Sequence, residues 1–305
     1  MHEGGHVTVD LLLDARAELG EGPFWDRVRR SLTWVDQLSG RVHRLGLDGV
    51  PGPAVEVHGR VGTAVPCADG GGLLLTTDAG FVRVDDDGRS ALVARPEPGG
   101  SGKWFLNDGR CDALGRFWAG TVVVGADGNA LAGAGSLYRL DPDGRLSAAR
   151  HGVTLANGMD WSPDGRTFYF IDSLAGGIDA HTFDLDAGEL GPPRRVVELA
   201  LPASGAFADG MCVDTDGALW TAVWGAGEVR RYTPSGVLDA TIRLPVTQPT
   251  SCAFAGPELD VLVITSAWHR LTARERADQP LAGGVFCCRP GCSGRAEHPF
   301  GPPPR

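Results

Sequence analysis

The sequence predicts an all-β protein, a six-bladed β-propeller, on three observations. Helical periodicity is almost absent, while short alternating strands separated by turn signals run throughout. The 305 residues include 45 Gly and 21 Pro, a glycine share above the ordinary one that signals many tight turns. A polar residue followed eight positions later by a turn glycine recurs: Asn107 with Gly115, Asn157 with Gly165, Asp209 with Gly217. Six units of this kind follow at ~40–50 residues, the period of propeller blades; an open solenoid would show a short fixed period.

The units follow in chain order. Unit one begins at Glu21 with EGPFWDRVRRSLTWVD and continues through GRVHRLGLDG. Unit two begins near Thr63, within GTAVPCADGGGLLLTTD, and continues through GFVRVDDDG. Unit three runs from Asn107 through GRFWAGTVVV and GSLYRLD. Unit four runs from Asn157 through GRTFYFID and GGIDAHTFD to RRVVELA at 194–200. Unit five runs from Asp209 through GALWTAVW and GEVRRYTP. Unit six begins near Thr250, with TSCAFAGPELDVLVITSAW, and ends in GGVFCCRPG without an outer strand. The strand-like VTVDLLL at 7–13 is expected to join that last blade and close the ring, since an unpaired edge is a liability. The whole chain, 1–305, reads as one such domain.

Composition narrows the function classes. The formal charge is -10, and the densest basic run, RVRR at 27–30, reads as a solvated hairpin turn. Nucleic acid and anionic membranes are therefore not expected partners. The N-terminus has acids inside its apolar stretch and no basic region ahead of it, so no secretory signal is read and a cytoplasmic location is expected. No apolar run approaches the ~20 residues that span a bilayer. The seven cysteines are scattered and read as reduced thiols in strands. Cys287, Cys288 and Cys292 cluster, but no second Cys/His pair stands at zinc spacing.

The first strand of each propeller blade lines the central channel. The polar heads Glu21, Asn107, Asn157 and Asp209 are therefore expected to converge on one point of the axis. Each alone would read as a turn residue satisfying local backbone; four at one repeat position read as a ligand set. Two carboxylates and two amide oxygens are hard donors suited to Ca²⁺, Mg²⁺ or Mn²⁺. Without a cation, the carboxylates would repel each other.

Taken together, LGEGPFWD (19–26), NDGRCDALGRFWAGT (107–121), ANGMDWSPDGRTFYFIDS (156–173) and FADGMCVDTDGALWTAVW (207–224) resemble the SMP-30/gluconolactonase/regucalcin (LRE-like) family. CAFAGPELDVLVITSA (252–267) and AGGVF (282–286) extend the resemblance, in order, over essentially the whole chain. The resemblance implies a six-bladed propeller with one catalytic divalent cation; the oxygen ligands favour Ca²⁺, and Mg²⁺, Mn²⁺, Fe²⁺ or Zn²⁺ could also occupy such a site. It implies Glu21, Asn157 and Asp209 as ligands, Asp209 also as catalytic base, and Asn107 as the residue holding substrate or metal-bound water.

Two departures stand out from the family's sugar-lactone pattern. An arginine is common two residues before the Asn of NDG, where it contacts substrate hydroxyls; this chain has Phe105. Where acids can follow the AGT motif, it has Val122, Val123 and Val124. Both changes trade hydrogen-bonding groups for apolar surface, so a lactone or ester less polar than a sugar lactone is expected. Lys103 reads as a surface loop residue rather than a substitute cation. His269 borders the channel mouth, where an exposed loop histidine is the ordinary outcome, and Trp224 and Trp268 could line a pocket or pack between blades.

No G-x-S-x-G nucleophile stands at a strand-to-helix turn. Three readings remain: a metal-dependent lactonase or ester hydrolase, a non-catalytic calcium-binding or regulatory propeller, and a metal-free propeller enzyme of the strictosidine-synthase type. The oxygen ligand set disfavours the third.

Overall fold

The computed structural model describes residues 7–97, 102–199 and 205–302. It is a six-bladed β-propeller with one antiparallel sheet per unit. The innermost strands are Gly20–Asp26, Val61–Pro66, Lys103–Cys111, Ala156–Trp161, Phe207–Val213 and Pro249–Ala255. They touch in cyclic order, and the sixth packs against the first. Burial falls outward along each blade. Gly20–Asp26 is buried along its whole length, whereas the outer strand Leu238–Arg243 is exposed at all but one position.

The sixth sheet takes Pro249–Ala255, Val261–Ser266 and Val285–Cys288 from its own unit. Its outermost strand is Asp10–Leu13, antiparallel to Val285–Cys288. That strand is shorter than the expected 7–13. Among the described residues, no helix is long and apolar enough to cross a membrane.

Each head-to-glycine interval has a mechanical explanation. Five residues past the head, immediately after the inner strand, a polar residue organises the turn. Asp112 Oδ1 accepts from the Leu114 and Arg116 amides, and its Oδ2 accepts from Trp118 Nε1 at 2.9 Å. Asp214 repeats the arrangement with the amides of Asp216 and Ala218 and with Trp220 Nε1 at 3.0 Å. The spacing D-x-x-G-x-x-W thus fixes the hairpin and anchors the indole that fills the space between blades. Trp118 meets Trp161 and Phe183 edge-on, with ring centroids 6.2 and 5.7 Å apart.

Asp214 is fully buried and also accepts from Arg231 Nε at 2.8 Å. Its removal would leave an indole N–H and two amides without their acceptor and take from Arg231 its buried carboxylate, leaving it Asp216 and Asp239. Asp214→Ala is expected to cost about 3 kcal/mol, read as a lower urea midpoint at unchanged m-value. A loss within ~0.5 kcal/mol would show that the turn holds without its carboxylate.

Candidate functional site

Every inner strand breaks register with its neighbour near its polar head. The slips fall between Glu21 and Phe24, Val61 and Ala64, Leu106 and Gly109, Ala156 and Met159, Ala208 and Met211, and Pro249 and Ser251. Asn107, Asn157 and Asp209 each lie inside a slip, and Glu21 is the last paired residue before one. Such a bulge frees a side chain from the alternation of the ladder and re-aims it. The glycine after the head lets adjacent inner strands close up. A Cβ on Gly158 would sit 2.5 Å from the Met211 amide nitrogen, and one on Gly210 would strike Ser251 Oγ. The repeated head-Gly-Met pattern is therefore a close-approach device as much as a ligand motif.

The four heads line one cavity of about 510 Å³ at the axis, together with Gln37, Arg60, Phe105 and His269. Glu21, Asn157, Asp209 and Asn107 are only 5, 3, 3 and 6% exposed. Asn157 Nδ2 donates to Asp209 Oδ1 and, at 3.1 Å, to Ser173 Oγ. Ser173 in turn donates to the Ala208 carbonyl at 2.7 Å. Asn107 is held on both sides: its Oδ1 accepts from Gln37 Nε2 at 2.9 Å and its Nδ2 donates to the Ala156 carbonyl at 2.8 Å. Among the described residues, Glu21 accepts only from its neighbour's amide, Gly22, at 3.3 Å.

Electrostatics mark this point as unbalanced. Burial pushes the Glu21 carboxyl well above the usual carboxylate range, and the charges of Asp209 and Asp108 push it the same way. Burial likewise raises Asp209, with Asp108 adding to it, while the Asn157 hydrogen bond partly opposes the rise. Asn157 Oδ1 is buried with no hydrogen-bond partner among the described residues. An orphan amide oxygen together with two buried, under-compensated carboxylates suits a hard divalent cation.

The outer cavity differs from the expectation in detail. Phe105 pairs with Val122 across the strands, and alternation sends Val122 and Val124 into the cavity; Val123 does not line it. Lys103 is exposed and stands outside the lining. Trp224 lines the cavity, stacked on Phe207 at 5.9 Å. Trp268 does not: its indole donates to the Arg16 carbonyl and its ring lies under Arg276. His269 lines the cavity, and its Nδ1 stands 3.3 Å from Glu18 Oε1.

Arg60 and Gln37 went unread in the sequence. Unit two is a weak copy, so nothing marked Arg60, and Gln37, which lines the cavity and holds Asn107, belongs to no repeated motif.

The fold agrees with the relatives of this chain. The sequence model of the SMP-30/gluconolactonase/LRE-like region matches residues 19–268, and the chain belongs to that family. It is 36% identical to regucalcin of Danio rerio over 283 residues, covering 92% of this chain and 93% of that protein. It is 32% identical to a Bacillus subtilis (strain 168) protein provisionally named sugar lactone lactonase YvrE, over 95% of this chain and 97% of that one. The crystal structure of a calcium-binding protein, regucalcin, from Agrobacterium tumefaciens superposes with a TM-score of 0.86 at 28% identity, covering 96% of this chain and 97% of that one.

The crowded carboxylates set a pH dependence for the metal-free protein. Glu21 and Asp209 hold protons more tightly folded than unfolded. Their contribution to stability is therefore fully present at low pH and falls as pH rises above the ordinary carboxylate range, by up to about 1.4 kcal/mol per pH unit per group. Thermal unfolding in chelator between pH 4 and 8 should show this fall, and a saturating divalent cation should flatten it. Asp209→Asn should raise the metal-free Tm while weakening cation binding at least about tenfold. A pH-independent Tm in chelator would contradict the crowding.

Proposed function

We propose that the chain is a divalent-metal-dependent hydrolase of a lactone or related carboxylic ester with fewer hydroxyls than a sugar lactone. The observation that carries the reading is the orphaned Asn157 Oδ1 beside Glu21 and Asp209, all lining a cavity large enough for a small molecule. Glu21, Asp209 and Asn157 Oδ1 would hold the cation. Their oxygen-only chemistry suits Ca²⁺ first, then Mg²⁺ or Mn²⁺. When bound, the cation would supply polarisation of the scissile carbonyl and acidification of water.

The chain's own groups do the rest. Asp209 accepts the proton of the attacking water and is held for that task by Asn157, itself fixed to Ser173. Asn107 is locked by Gln37 and the Ala156 carbonyl, so its amide oxygen keeps one lone pair in a fixed direction. It orients a water or a substrate hydroxyl without reorganising. The substrate body lies against Phe105, Val122, Val124 and the Phe207–Trp224 stack. Hydroxyls facing that wall would lose water without gaining partners, at about 1–3 kcal/mol each. A non-catalytic calcium-binding role uses the same ligands, but it gives no purpose to the cavity beside them.

The test is hydrolysis read by pH indicator on glucono-δ-lactone and on an alkyl-substituted γ- or δ-lactone. Chelator is expected to lower kcat/KM at least about a hundredfold and added cation to restore it. The alkyl lactone is expected to lead by about tenfold or more. Chelator-insensitive turnover would contradict the metal dependence, and a preference for the sugar lactone would contradict the apolar wall.

A further inference from the structure

Among the described residues, Arg60 is the half-buried cation of the cavity that no carboxylate pairs, while Arg270 at its rim is exposed. Arg60 precedes the inner strand of blade two and reaches Phe105 of blade three, with its guanidinium carbon 3.9 Å from the ring centroid. The other part-buried arginines have carboxylate partners: Arg110 with Asp160, Arg116 with Asp112, Arg150 and Arg195 with Asp179, and Arg231 with Asp214. Arg60 pairs with no carboxylate and no hydrogen-bond acceptor among the described residues; the acid that acts on it, Asp78, is exposed and stands outside ion-pair contact. Burial lowers its proton affinity, so the guanidinium is partly stripped of water without a counter-charge in return.

The cavity around it is polarised. His269 and Arg270 of blade six border it with Arg60 on the side of blades six, one and two. Blades three to five contribute Phe105, Val122, Val124, Phe207 and Trp224. A guanidinium held over an aromatic ring keeps N–H groups free, and these match the two oxygens of a planar carboxylate.

We propose that Arg60 is the anion-recognising residue of this cavity, and that the substrate is a lactone or ester carrying a carboxylate on its basic side and an apolar body on the other. The proposal deepens the lactonase reading and, for the reaction, rests on it. Phe105 occupies the position at which an arginine was expected, and it serves as the platform for an arginine delivered from the neighbouring blade. The cation is retained, but moved and aimed from another wall.

Two lactones differing only in charge test the assignment: γ-butyrolactone-γ-carboxylate and the matching γ-carboxamide, with the calcium-loaded full chain. The wild type is expected to favour the carboxylate about ten- to hundredfold in kcat/KM, mainly through KM. Arg60→Gln should bring that ratio near one, and Arg60→Lys should keep part of it. The second arm is calorimetric titration with α-hydroxyglutarate, the ring-opened product, against γ-hydroxybutyrate, which lacks the second carboxylate. Tighter α-hydroxyglutarate binding that weakens at least about tenfold in Arg60→Gln supports the assignment even if neither lactone is turned over, an outcome that would count against the lactonase reading alone. A wild-type ratio near one, or a preference for the anion that survives Arg60→Gln in both arms, overturns it.

Discussion

Two carboxylates that cannot both be comfortably charged, Glu21 and Asp209, govern the centre of this propeller. They reach the axis from blades one and five, both nearly sealed from solvent; Asp209 raises the cost of ionising Glu21, and Asp108 raises it for both. A divalent cation would resolve the conflict, and among the described residues the Asn157 amide oxygen has no other partner. The rest of the site holds these oxygens still: Ser173 holds Asn157, and Gln37 and the Ala156 carbonyl hold Asn107.

The scaffold meets this constraint by repeating one irregularity six times. A register slip in each inner strand lifts a residue out of the ladder, and the glycine behind the head lets the next blade approach. Because the slip is built into every blade, the identity of the lifted residue is free to vary. Blades one, three, four and five present Glu, Asn, Asn and Asp, and the Thr250 hydroxyl of blade six donates to the Gly20 carbonyl instead. The outer blade is indifferent to the choice, since turn carboxylates such as Asp112 and Asp214 secure the hairpins independently.

The fold was legible because it is written redundantly. Period, turn glycines and strand alternation recur six times, so a weak copy such as unit two costs little. The convergence of Glu21, Asn107, Asn157 and Asp209 was legible for the same reason, as equivalent positions of a ring must face its axis. What escaped was whatever depends on reach between blades. Nothing in VHGRVGTAV announces that Arg60 leaves its own blade to lie on Phe105. Trp224 and Trp268 end equivalent-looking strands, yet only Trp224 lines the cavity, since the N-terminal segment draws Trp268 away. Alternation alone would have excluded Val123 from the wall, a distinction that a run of three valines hides.

The central claim is that Glu21, Asn157 and Asp209 share one divalent cation on the propeller axis. Crystals soaked in Mn²⁺ and measured for anomalous scattering test it most directly. The account predicts one strong peak on the axis, within about 2.0–2.6 Å of a Glu21 carboxylate oxygen, Asn157 Oδ1 and an Asp209 carboxylate oxygen. An axis without a peak in fully soaked crystals, or a peak ligated by other residues, would contradict it.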